Sequence, residues 1–156
     1  PCPCGNYGSA RRQCTCTPNE IRRYRARVSG PLLDRIDIQV EVDGVDYDDL
    51  SSAEAAEPSK AVKERATEAR KIQRARFGSD RMTNGRMGDR ELAEYCRLSE
   101  ECDRILRESF ERLKLSARAR SRILKVARTI ADLGFSEEIR AEHLYEAISY
   151  RTYNPV

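Results

Sequence analysis

Apolar and polar positions along the 156 residues follow two rhythms, and the chain passes from one to the other after its first third. "IDIQVEV", residues 36–42, alternates strictly, which is the signature of a strand with one buried face. A single strand cannot satisfy its own backbone, so its sheet is expected from chain that is absent or from another copy. From about Ser59 the period becomes helical. Ala61, Val62, Ala66, Ala69, Ile72 and Phe77 form a thin stripe, and Gly78 ends it. The helical pattern resumes over about 90–96, 98–114, 117–133 and 140–150. Ile123, Ala127, Ile130 and Ala131 share a face of the third of these, and Leu144, Ala147 and Ile148 point inward from the last. The second half is therefore predicted to be an all-α bundle of about four helices.

Residues 1–17 are rich in Cys, Gly, Pro and small polar residues and are expected to be irregular. "TPNE" (17–20) combines an N-cap Thr17, Pro18 at the first helical position and Glu20 at the capping-box position, so a helix is expected over about 18–27. Ile21, Tyr24 and Val28 recur at helical spacing as its docking face. Ser29 and Gly30 break it, and Pro31 opens a short turn carrying Leu32 and Leu33. Natural boundaries lie near 50–58 or 80–88. The chain opens on "PCPCG" with no initiator Met, which points to a piece of a longer protein.

Composition bounds this picture. With 39% hydrophobic, 35% charged and 6% aromatic residues, the helices should be amphipathic and well solvated, around a modest core. Net charge is only +3, but arginines crowd 11–27, basic residues crowd 60–76, and 43–49 is acidic. Such stripes fit either a polyanion contact or plain solvated faces. No apolar run reaches the ~18 residues of a membrane span, and no signal-peptide pattern is present, so no membrane partner and a soluble, cytoplasmic protein are expected.

Cys2, Cys4, Cys14 and Cys16 form a C-x-C, nine residues, C-x-C pattern. In a reducing compartment, four thiols this close point to a structural, tetrahedral Zn2+, which would order a segment almost without apolar side chains. Free or disulfide-bonded cysteines are the alternative. Cys96 and Cys102 fit as small buried residues, and His143, beside a helix start, fits a capping or packing role. Arg35 stands between Asp34 and Asp37 just where the chain turns apolar. Taken alone, it reads as a structural ion pair.

"PCPCGNYG", "RRYRARVSGPLLDRIDIQVEV", "EYCRL" and "SARARSRILKVARTIADL" together resemble the C-terminal part of the magnesium-chelatase-like AAA+ ATPases, the YifB or ComM group. The resemblance is most specific at "SGPLLDRID" and "SARARSRILKVARTIADL" and weakest over 43–88. It implies a mainly α fragment with three parts. Residues 1–55 would be the end of an incomplete AAA+ α/β nucleotide domain with a zinc-like insertion, 56–88 a helix and linker, and 89–156 the helical lid. It implies further that Arg35 is a trans-acting arginine finger, with Asp34 and Asp37 neutralising it until nucleotide arrives. Arg118 would be the second sensor, with Arg120 and Arg122 as close competitors. ATP and Mg2+ would lie between subunits of a homo-oligomeric ring, a hexamer, acting as a DNA motor in recombination or transformation. The basic helices at 18–27 and 59–77 could meet DNA phosphates. No G-x-x-x-x-G-K-[ST] occurs, so this chain alone is expected not to hydrolyse ATP. A chelatase subunit that drives metal insertion, and a zinc-bearing helical binding module with no nucleotide link, are the alternatives.

Overall fold

The structure, a computed structural model, describes residues 2–9, 12–40, 42 and 57–151. The chain divides into two compact units, one running to Glu54 and the other from Ala55 to Thr152. Its described residues are mainly helical. None of the described helices is long and apolar enough to cross a membrane.

In the first unit α1 (Pro18–Arg25) begins where the sequence signals converge. The Thr17 backbone N–H donates to Glu20 Oε2 at 2.8 Å, and Thr17 Oγ1 accepts from the Glu20 N–H at 3.4 Å, closing the capping box. The Thr17 N–H, and then its hydroxyl, hold the Glu20 carboxyl below its ordinary pKa. α2 (Gly30–Leu33) is a single turn opened by Pro31. It runs on into turns in which the Arg35 and Ile36 N–H groups donate to the Leu32 and Leu33 carbonyls, both at 3.0 Å.

Two apolar surfaces expected to be covered are open among the described residues of this unit. The alternating segment 36–42 joins no sheet among the described residues, and Ile36, Ile38, Val40 and Val42 are exposed, Val42 at 82%. The reason is that a strand is stable only against a partner, and no described segment offers one. Likewise Tyr24 and Val28 of the proposed docking face are exposed, and Ile21 is only half-buried. Cys2 is the one buried apolar residue described in this unit. The acidic stretch 43–49 lies outside the described residues.

The second unit is a helical body with a continuous core. α3 (Ser59–Phe77) ends at Gly78, whose φ of 60° is the left-handed value that glycine adopts without strain. A one-turn 3-10 helix (Asn84–Arg86) leads to α4 (Asp89–Tyr95), α5 (Glu100–Leu113), α6 (Ala117–Leu133) and α7 (Ala141–Ser149). Each start has a local cause. Glu91 Oε2 accepts the Gly88 N–H at 2.8 Å, while Ser99 and Ser116 hydroxyls accept the Cys102 and Ala119 N–H groups, both at 3.2 Å. His143 Nδ1 accepts the Arg140 N–H at 3.0 Å, which is the capping role expected of it.

α6 is the central element, packed against α7, α3, α4 and the 3-10 turn, while α5 packs on α7. Its residues Ala119, Ile123, Ala127 and Ala131 recur every fourth position and have no exposed surface. Three alanines in that ridge let neighbouring helices approach closely around one large side chain. Leu144 and Ile148 of α7, Leu106 and Ile105 of α5 and Leu92 of α4 complete the core, each large side chain contributing about 1.5–3 kcal/mol by leaving water. Cys96 and Cys102 are buried among them as expected. α3 joins the body through its C-terminal half, where the Phe77 and Tyr95 rings meet edge to face at 5.4 Å.

Candidate functional site

The four N-terminal cysteines converge. Their sulfurs all lie within 4.8 Å of one another, with Cys2 to Cys4 at 3.3 Å and Cys2 and Cys4 each 3.6 Å from Cys14. None is disulfide-bonded. A tetrahedral zinc–thiolate set with Zn–S near 2.3 Å has sulfurs about 3.8 Å apart, so this arrangement fits the ion by chemistry and by size. The backbone explains the convergence. Gly5 and Gly8, at φ of 80° and 83°, turn the chain back, the Gly5 N–H donates to the Cys2 carbonyl at 3.0 Å, and the Tyr7 N–H donates to Cys2 Sγ at 3.3 Å.

Protons are shared unequally across the four. The Asn6 and Thr15 backbone N–H groups pull the Cys4 thiol down to about 5. Burial opposes ionisation of Cys2, but the Tyr7 N–H and the thiols of Cys14 and Cys16 bring it below its ordinary value. The Cys16 N–H favours the Cys14 thiolate, yet burial and the thiols of Cys4 and Cys2 push it up. Cys16 accepts from the Cys4 N–H but is pushed up to about 12 by burial and the neighbouring thiols. Four like charges in so small a volume cannot all form without a cation, and a dication would relieve this. All four positions would be protein ligands, which leaves none open for substrate.

Arg35 is exposed in the turn following α2, its backbone fixed by the 3.0 Å bond to Leu32. Asp34 is half-buried beside it and Asp37 exposed. The arginines at the start of α6 divide between two faces. Arg118 is exposed and Arg122, four residues on, is half-buried on the same side. Arg120 instead lines a cleft of about 480 Å³ with Leu92, Cys96, Asp103 and Leu124. The free N–H groups of a helix start favour an anion near Arg118.

Sequence reasoning missed a buried polar network in the helical body. Asp132, with no exposed surface, accepts Arg76 Nη1 at 2.8 Å on Oδ2, Arg76 Nη2 on Oδ1, Arg128 Nε at 3.1 Å and Asn84 Nδ2 at 2.7 Å. Arg128 also donates from Nη1 and Nη2 to the Glu137 and Ser136 carbonyls at 2.7 and 2.5 Å. Burial nevertheless lowers the Arg128 pKa, opposed by Asp132. Gln73 Oε1 accepts the Asn84 N–H at 3.2 Å, so α3, the 3-10 turn, α6 and the turn after it are joined at one carboxylate. The available signal was Arg128 and Asp132 at i, i+4 beside the apolar ridge of α6.

Residues 56–151 match the family described as magnesium chelatase, subunit ChlI C-terminal, and residues 1–50 match magnesium chelatase, subunit ChlI. The chain belongs to the magnesium chelatase ChlI family. Members similar to it include protein YifB of Salmonella typhimurium, 40% identical over 152 residues, and YifB of Escherichia coli, 39% identical. The competence protein ComM of Haemophilus influenzae is 37% identical over 152 residues. In each case the match covers 97% of this chain but 29% of the relative, so the chain spans under a third of the length of these family members.

Proposed function

We propose that this chain is the C-terminal part of a ring-forming ATPase and that Arg35 is its trans-acting arginine finger. The observation that supports the reading is the placement of Arg35, exposed and on a hydrogen-bonded turn. A guanidinium is planar and permanently charged, so it can stabilise charge developing on a γ-phosphoryl group held by that neighbour. Arg118, at the start of α6, acts as the sensor on a bound phosphate, with Arg120 set apart by its place in the cleft. No G-x-x-x-x-G-K-[ST] occurs in these 156 residues, so on this reading the phosphate cradle and its Mg2+ are supplied from outside them. The four cysteines hold a structural zinc that orders a unit with almost no apolar core.

The work done with ATP is the movement of DNA in the cytoplasm by a hexamer. The name of the competence relative supports this choice. A chelatase subunit driving metal insertion into a porphyrin is the second reading, supported by the family's own description. Stimulation of ATP turnover by branched or single-stranded DNA favours the motor, and stimulation by a porphyrin substrate favours the chelatase.

The test is Arg35→Ala in the full-length protein. Nucleotide binding should remain within a few-fold of wild type while turnover falls by about 10³ or more, the scale of other trans fingers. Unchanged hydrolysis would remove the assignment.

A further inference from the structure

We propose that Gln39 is the positioning residue of the Arg35 turn: its side-chain amide holds the backbone from which the guanidinium extends toward a neighbouring subunit. This role rests on the finger reading and adds to it a residue that no motif points to. The turn needs such a support. α2 is four residues long, and a single helical turn fixes more backbone freedom than its own hydrogen bonds return. Apolar burial among the described residues adds little, since Leu32 is 47% exposed, Ile36 is exposed and Leu33 is only half-buried.

The tie comes from further along the chain. Gln39 Nε2 donates to the Leu33 carbonyl at 3.1 Å, reaching back six residues. The same oxygen accepts the Ile36 N–H at 3.0 Å, so both of its lone pairs are used and the segment 33–39 is closed into a loop that contains Arg35. On the preceding side the Asp34 N–H donates to the Gly30 carbonyl at 2.9 Å and the Arg35 N–H to the Leu32 carbonyl at 3.0 Å. Arg35 therefore lies between a helical turn and its closure. Exposure along the segment agrees with this. Gln39 is half-buried while its neighbours Ile38 and Val40 are 50% and 62% exposed, so the amide and not the apolar side chains is turned inward.

A guanidinium at the end of a long flexible stem serves a transferring phosphoryl group best when its backbone is already held, because less freedom is then lost as charge develops. Gln39 is uncharged and touches no phosphate in this scheme. Its effect should therefore appear in turnover and not in nucleotide binding.

The experiment is steady-state ATP hydrolysis by the full-length protein, with nucleotide affinity measured separately, for Gln39→Met, Gln39→Asn, Gln39→Lys, Arg35→Ala and the Gln39→Met, Arg35→Ala pair. Methionine keeps the length without the N–H donor, and asparagine keeps the amide but is one methylene too short to reach. Each should lower turnover about three- to tenfold, the scale of one hydrogen bond, with KM and nucleotide affinity within about twofold of wild type. Lysine restores a donor at that reach and should recover most of the turnover. In the Arg35→Ala background the methionine change should cost nothing further, because a residue that acts through the guanidinium then has nothing to position. Hydrogen exchange on the same proteins gives a readout independent of activity: the Arg35 and Ile36 amides should exchange about three- to tenfold faster in Gln39→Met and Gln39→Asn but not in Gln39→Lys. Unchanged turnover or unchanged exchange on loss of the donor, equal losses with methionine and lysine, or a methionine loss that persists on top of Arg35→Ala overturns the role of Gln39 and leaves the finger assignment standing. Full hydrolysis by Arg35→Ala overturns both.

Discussion

Replacing Asp132 by alanine is the most informative single perturbation of the helical body. The carboxylate accepts four hydrogen bonds, three of them from the two arginines, and both arginine side chains are largely buried, at 13% and 3% exposed. Removing it strands two positive charges at the junction of α3 and α6. Breaking a buried ion pair from one side costs about 3–5 kcal/mol. The lower end applies here, because Arg128 keeps the Glu137 and Ser136 carbonyls, Arg76 keeps Asn84 Oδ1 at 3.0 Å, and alanine suits a helix better than aspartate. The expected loss is therefore about 3 kcal/mol, or a midpoint lower by at least about 12 °C for a unit of this size.

Urea and thermal unfolding followed at 222 nm measure this, since the helical body supplies most of the signal. A companion variant, Arg76→Met with Arg128→Met and Asp132→Leu, tests the cause. If stranded charge is the penalty, removing all three charges together should recover most of the loss. A deficit below about 1 kcal/mol for Asp132→Ala, or no recovery in the triple variant, would refute the electrostatic account.

Three further outcomes follow from the same geometry. The chain should hold one zinc per molecule by elemental analysis and lose it with Cys4→Ser, while the helical signal at 222 nm stays within about a tenth of wild type, because no N-terminal cysteine belongs to the main core. His143 is held below its ordinary pKa of 6.5, first by burial and against the pull of Glu142, so the unfolded chain takes up a proton at a pH where the folded one does not. Its stabilising contribution is complete above about pH 6.5 and is lost as pH falls through the folded value; His143→Asn, which keeps a cap acceptor, should flatten that decline between pH 7 and 5, and an unchanged slope would reject the assignment. Lys114 ends α5 at φ 49°, so Lys114→Gly should stabilise by up to about 1 kcal/mol in the same unfolding assay, and destabilisation would count against strain there.

What could be read from the sequence divides along the same line as the two units. In the helical body nearly every element was legible, because helices satisfy their backbone locally and announce themselves through period and stops: Gly78 ends α3 where the pattern required it, and α6 begins at Ala117 as expected. The Asp132 network was not legible, since Arg76 and Asn84 reach it from elements 56 and 48 residues away and charge alone does not reveal a burial partner. In the first unit the convergence of four thiols could be anticipated from spacing, because a metal ties together positions that are near in sequence. The strand could not be realised from its pattern, because its stability lies in a neighbour. Ile36, Ile38, Val40 and Val42 keep the alternation of a buried face while remaining exposed, so the rhythm at 36–42 records a surface these residues are suited to meet rather than one that the described chain provides. Arg35 sits at the head of that same segment, and whatever the strand pairs with would therefore set the direction in which its guanidinium points.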